Sequence, residues 1–150
     1  MMRLERAKEY LKSGNYTCVI EKDDCFYTSS ERGVKPLVNW MESKIDFHGA
    51  YAADKVIGKA TAFLYVLLGV TKVYAGVISQ TALQVLQVNG ISTEYGQVVE
   101  YIINRKKDGM CPFEAAVLEI DNPQTAYEEI RRKMVEMNNA TESLHFETLK

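Results

Sequence analysis

Two hydrophobic periods alternate along this chain, and the switches between them mark its elements. From Arg3 to Ser13 the period is helical: Leu4, Ala7 and Leu11 share a face, and Glu5 and Glu9 are spaced to meet Lys8 and Lys12. Gly14 stops that helix. Residues 16–22 and 25–29 are rich in β-formers and flank Asp23-Asp24, which predicts a hairpin with Cys18 opposite Ser29 and Lys22 opposite Cys25. After a loop at Ser29-Ser30-Glu31-Arg32-Gly33, residues 34–43 return to helical spacing, with Leu37, Trp40 and Met41 on one face and Pro36 in the first turn.

The next stretch organises the rest. Residues 49–53 are small and apolar enough for a strand buried on both faces, and Asp54 follows as the N-cap of a helix running to Leu68 and Gly69. A second strand covers 72–78, and Ser79 or Thr81 caps a helix with Ala82, Leu83, Val85 and Leu86 on its face. Asn89-Gly90 ends it, and residues 91–95 form a further strand. Residues 98–103 fit either a sheet extension or a short helix. The polar loop 104–110 leads to Cys111-Pro112-Phe113-Glu114 and a helix with Ala115, Ala116, Leu118 and Ile120 inward. Asp121-Asn122 caps a last helix from Pro123 to about Met137, and the residues after it are polar and fray.

This order predicts one three-layer α/β/α domain with a mixed sheet of about five strands, in which 49–53 and 72–78 are adjacent and parallel. Asp54 and Ser79 would then stand side by side at two helix starts, on the sheet edge where such folds collect ligands. Composition narrows the class. Across 150 residues the apolar fraction is 47%, the charged fraction 25% and the net charge −2, which describe a globular chain with no basic stripe for nucleic acid. The longest apolar run, Ala62 to Val70, is too short to span a bilayer, and no secretory h-region opens the chain. Cys18, Cys25 and Cys111 read as reduced thiols, which places the protein in the cytoplasm.

Several residues are candidates for chemistry. Asp54 is both a helix cap and a candidate general base. Lys55 and Lys59, at i and i+4, would share a helix face and contact an anion held at the helix N-termini; two solvated lysines is the plainer account. Gly58 inside a helix suggests close packing or room for a ligand, and Gly76 within a strand suggests close approach of another backbone or space near a pocket. Ser79 and Thr81 are caps or hydroxyl donors to that anion. Cys111, just ahead of a helix start, is a candidate reactive thiol as well as a small cap residue. Asn104 and Arg105 in the preceding loop would face the same anion. Glu114 reads as a first-turn cap and Lys35 as a surface lysine.

The segments Glu31-Arg32-Gly33-Val34-Lys35-Pro36-Leu37, Ala53-Asp54-Lys55-Val56-Ile57-Gly58-Lys59-Ala60, Val73-Tyr74-Ala75-Gly76-Val77-Ile78-Ser79 and Tyr101-Ile102-Ile103-Asn104-Arg105 with Gly109-Met110-Cys111-Pro112 resemble the family called domain of unknown function 1893, over about residues 16–135. The resemblance implies a cytidine-deaminase-like fold. Deaminases of that fold hold zinc through His-x-Glu and Pro-Cys-x-x-Cys at two helix starts. Here those places read Ala53-Asp54-Lys55 and Ile78-Ser79-Gln80-Thr81-Ala82, and His48 and His145 lie elsewhere, so no zinc and no other cofactor is expected. Two functions remain: binding of a small anionic metabolite or nucleotide, with metal-free chemistry through Cys111, or a non-catalytic regulatory or homo-oligomer-forming domain.

Overall fold

The computed structural model describes residues 2–103 and 109–148, with side chains in the last helix as far as Asn138. Helix α1 (Arg3–Ser13) buries Leu4, Ala7 and Leu11, the stripe its helical period marks. It is followed by the hairpin β1 (Cys18–Lys22) and β2 (Cys25–Ser29). Asp23 and Asp24 turn with φ of 48° and 65°, the left-handed pair that a two-residue hairpin needs, and the register is Cys18 to Ser29 and Lys22 to Cys25 as expected. Helix α2 (Lys35–Ser43) packs Pro36, Leu37 and Val38 into the core.

The central unit is β3 (Tyr51–Ile57), α3 (Lys59–Leu68), β4 (Lys72–Ser79), α4 (Gln80–Val88) and β5 (Ser92–Val99). The sheet order is β2-β1-β3-β4-β5, with β1 antiparallel to both its neighbours and β3, β4 and β5 parallel. The expected mixed five-stranded sheet, with its adjacent parallel central strands, is therefore what forms. Residues 98 and 99 extend β5 rather than start a helix.

One boundary differs in a way that changes the site. The first central strand does not end at Ala53; it continues through Asp54 to Ile57, and its ladder with β4 pairs Asp54 with Ala75, Val56 with Val77 and Ile57 with Ile78. Asp54 looks like a cap because short carboxylates favour helix starts. Here it is a strand residue whose burial is compensated by partners on other elements, described below.

Helix α1 lies on one side of the sheet, over Val19 and Ala53. The other side carries α3 among α2, α4, α5 (Pro112–Ala116) and α6 (Pro123–Thr148). Its position explains its composition: α3 is apolar almost all round, as a helix covered on every side must be. Asn122 accepts the Thr125 N–H at 2.9 Å and caps α6 as expected, and the helix runs on past Met137 to Thr148. The inward face of the α5 region is not the expected one. Ala115 and Leu118 are exposed, while Glu114 and Val117 are buried, because the helix is only five residues long and its first turn points at α3.

Candidate functional site

Beyond the end of β3, the strand, the start of α3, the 31–37 loop and the segments around 102 and 112 enclose a cleft of about 1070 Å³. That is as large as the pockets that hold small ligands, roughly 300–1,000 Å³. Its floor carries Asp54 and Cys18; Val34, Leu37, Val56 and Phe113 supply apolar wall; Arg32 and Lys55 stand at the exposed rim.

The floor is a buried polar chain. The Tyr65 hydroxyl donates to Asp54 Oδ2 at 2.7 Å, and Cys18 Sγ lies 3.0 Å from the same phenol oxygen. Asp54 Oδ1 accepts the Val56 N–H at 3.2 Å. Register places Cys18 directly opposite Asp54 across β1 and β3, and the next helix drops Tyr65 onto both. Burial pushes the Asp54 carboxyl up from 3.8 to about 6; the hydrogen bonds from Tyr65, Val56 and Cys18 hold it from rising further. Burial and the neighbouring Asp54 charge push the Tyr65 phenol and the Cys18 thiol well above their ordinary values, so both stay protonated. Asp54 is thus a buried carboxyl whose charge changes near pH 6 rather than in the usual carboxylate range.

A second pairing closes the side of the cleft. Glu114, buried on α5, accepts the Lys59 N–H at 2.5 Å, and Lys59 Nζ donates to the Leu118 carbonyl at 2.9 Å. A Cβ on Gly58 would sit 2.8 Å from the Glu114 carboxyl carbon, so glycine there is what lets the carboxylate reach the helix start. Glu114 caps α3, not its own helix. Among the described residues no buried side-chain nitrogen or oxygen lacks a partner.

Several expected placements change. Asp54 does not cap α3; Gly58 holds that position. Lys55 is an exposed strand residue and Lys59 a buried helix residue, so the two do not share a helix face. Ser79 does cap α4, accepting the Ala82 N–H at 3.2 Å, with Thr81 Oγ1 3.3 Å from its hydroxyl; neither lines the cleft. The two helix N-termini expected to hold an anion are therefore occupied, one by Glu114 and one by Ser79. Cys111 is half-buried on the cleft wall, its N–H bonded to the Ile102 carbonyl at 3.0 Å. Asn104 and Arg105 lie outside the described residues, and the His145 side chain lies outside the described side chains. Lys35 is a surface lysine paired with Glu31 at 3.4 Å.

Cys18, Glu114 and Arg32 line the cleft, and Tyr65 lies buried beneath it against Asp54 and Cys18, although their positions in the chain gave no reason to group them. Only Tyr65 carried a signal: a phenol in an otherwise apolar helix needs a polar partner. The zinc pattern fails a second time on the corrected boundaries. The start of α3 reads Gly58-Lys59-Ala60-Thr61, with no imidazole or thiol, and among the described residues no group of His, Cys, Asp and Glu is arranged to hold a metal ion. The residues at this edge do not fit a zinc ion.

The thiols differ in access. Cys25 is exposed, Cys111 half-buried and Cys18 buried. Iodoacetamide in the native state is expected to modify Cys25 and Cys111 and to leave Cys18 intact until the chain unfolds, which peptide mass spectrometry reads directly. Native-state labelling of Cys18 at the rate of Cys25 would contradict the buried Cys18–Tyr65–Asp54 chain.

Comparison with known proteins places the chain among its relatives. The family model described as domain of unknown function (DUF1893) matches residues 6–134. The crystal structure of a DUF1893 family protein from Thermotoga maritima superposes with a TM-score of 0.81 at 26% identity, over 87% of this chain and 89% of that one. A diaminohydroxyphosphoribosylaminopyrimidine deaminase/5-amino-6-(5-phosphoribosylamino)uracil reductase from the same organism reaches a TM-score of 0.42 at 16% identity, over 77% of this chain and 40% of that one, too slight a likeness to build on. No curated protein matches. With the family model covering most of its length, this chain belongs to the DUF1893 family.

Proposed function

We propose that this protein binds a small metabolite in the cleft above Asp54, with an anionic part of the ligand at the rim. The observation that carries this reading is the cleft itself: about 1070 Å³, walled by apolar side chains, with a buried carboxyl on its floor and two cations at its edge. Arg32 and Lys55 have no ion-pair partner among the described residues. They therefore present unspent positive charge, whereas the helix starts do not. A phosphate or carboxylate on the ligand is accommodated at the rim and not on the floor, where it would face Asp54.

The reading has a built-in reporter. Cys111 lines the cleft and Cys25 lies on the hairpin, exposed. Millimolar inorganic phosphate or adenosine monophosphate is expected to slow alkylation of Cys111 severalfold and leave Cys25 unchanged. The double variant Arg32→Gln, Lys55→Gln is expected to lose that protection. If no anion alters the Cys111 rate, or if the double variant is protected equally, the anion is not held at this rim.

A non-catalytic, oligomer-forming role draws on a different observation. Strand β5 is the edge of the sheet, and Tyr95 on it is exposed. An open edge strand is a template for pairing with another chain. Sedimentation showing a stable dimer that a proline substitution in β5 dissociates would support that role.

A further inference from the structure

The rim reading leaves open what part of a ligand reaches the floor. We infer that the inner end of the cleft takes a nitrogen hydrogen-bond donor, a protonated amine or an amidine, held by the Asp54 carboxylate. The inference rests on the binding reading above and says which chemical group occupies the floor.

Asp54 lines the cleft while only 8% exposed, so its accessible part faces the cavity. One carboxylate oxygen accepts the Tyr65 hydroxyl and the other the Val56 N–H. The Cys18 thiol also bonds to this carboxylate, and the neighbouring Lys55 N–H is given to the Thr17 carbonyl at 3.0 Å; a carboxylate offers about four lone-pair sites, so these bonds leave one unused. In the open cleft water can satisfy it. A ligand that displaces that water must replace its hydrogen bonds, because an unmet charge in a dry site is costly. A donor on the ligand does so; an anion or a carbonyl oxygen does not.

The groups around Asp54 make this selection one-sided. Cys18 on β1 and Tyr65 on α3 both stay protonated, and their hydrogens serve the existing chain. On β4 its partner is Ala75, which has no charge to offer. Glu114 on α5 and Glu31 in the loop before α2 line the same cleft and add negative charge, while Lys55 and Arg32 belong to the rim. No cation of the described residues bonds to Asp54. The ligand is left to supply one. The cleft, about 1070 Å³ and lined by Val34, Leu37, Val56 and Phe113, has the volume for a ring or alkyl body behind it.

Benzamidine and benzoate test this directly, since they share a ring and differ in the sign of the group it carries. Binding is followed by amide NMR at Val56, and the ionisation of Asp54 by its carboxyl carbon. Benzamidine stays cationic from about pH 5 to 8, so it selects the ionised carboxylate: its affinity should be level above pH ~6 and fall towards tenfold per unit below it. It should also lower the Asp54 midpoint. Asp54→Asn should weaken it by about tenfold or more and abolish the pH dependence. Should that variant not fold, Tyr65→Phe serves instead: loss of a hydrogen bond to the carboxylate should move the Asp54 midpoint and the affinity curve to higher pH together. Benzoate bound as tightly as benzamidine at Val56, or benzamidine bound without pH dependence, overturns the inference. If phosphate protects Cys111 but benzamidine does not bind, the floor assignment falls and the binding reading stands; if neither binds, both fall.

Discussion

Asp54→Asn is expected to stabilise the protein above about pH 7 and to flatten its stability between about pH 4 and 7. The sign follows from the direction of the Asp54 shift. Its carboxyl ionises near 6 in the folded chain and near 3.8 when unfolded. Below 3.8 both states are protonated and the residue costs nothing. As pH rises from 3.8 to 6 the unfolded state releases a proton that the folded state retains, so stability falls; above 6 the full penalty is present. A gap of about two pK units corresponds to about 3 kcal/mol. Asparagine removes that penalty and can still accept the Tyr65 hydroxyl. Its amide meets the Val56 N–H as a donor, which costs about 1–2 kcal/mol. The net gain above pH 7 is therefore about 1–2 kcal/mol, or several degrees in Tm for a chain of this size. The quantity to measure is the difference between wild type and variant across pH, because every other carboxyl cancels in it. A difference that stays constant from about pH 4 to 8, or that favours the wild type most at high pH, would show that Asp54 is not a buried acid of raised pKa. A buried charge carried at such a cost, where a neutral residue of the same shape would fit, is a feature more common at functional sites than elsewhere.

The second large effect concerns backbone contact. Gly76→Ala is expected to destabilise the protein by about 1–3 kcal/mol. The added Cβ would meet the Lys55 carbonyl oxygen at 2.7 Å. Both atoms belong to paired strands, between the Asp54–Ala75 and Val56–Val77 pairs, so neither can retreat without breaking the ladder that holds Asp54 in place. The entropy gained by replacing a glycine, about 0.4–1 kcal/mol, does not offset this. Gly58→Ala makes an instructive comparison. Its Cβ would meet a carboxylate tip, and Glu114 can swing away. There the loss should appear as loosening of the 112–118 segment, visible by hydrogen exchange, with a smaller fall in overall stability. Urea unfolding of both variants checks the ranking; a Gly76→Ala protein as stable as wild type would mean the strands separate more easily than their register implies.

Local patterns carried much of this architecture. The helical stripe of Leu4, Ala7 and Leu11, the Asp23-Asp24 turn with its register, and the parallel pairing of the central strands were all legible from period and turn chemistry. Such signals are short-range: a stripe marks a helix because residues three and four apart meet on its surface, and a turn sets register because it joins the strands directly. Gly76 was readable for the same reason, as glycine in a strand marks a close backbone. The family motifs added the scaffold and the missing zinc ligands.

The site was legible only in fragments. Asp54 stood out as chemistry, yet the helix start was assigned to it wrongly, because a carboxylate before a helical run is a good cap whether or not the strand has ended. Lys55 and Lys59 seemed to share a helix face until the three-residue extension of β3 beyond Asp54 put them on different elements. What decides these cases is the partner, and the partners are remote in sequence: Cys18 from the neighbouring strand, Tyr65 from the next helix, and Glu114, fifty-five residues on, at the start of α3. A buried charge is tolerated where tertiary contacts supply its hydrogen bonds, and no local period records those contacts. The sequence alone thus determined most of the helices and strands and the parallel pairing of the two central ones. Only the packed structure decided which carboxylate caps a helix, which one faces a cleft, and which cations at its rim are left without an ion-pair partner among the described residues.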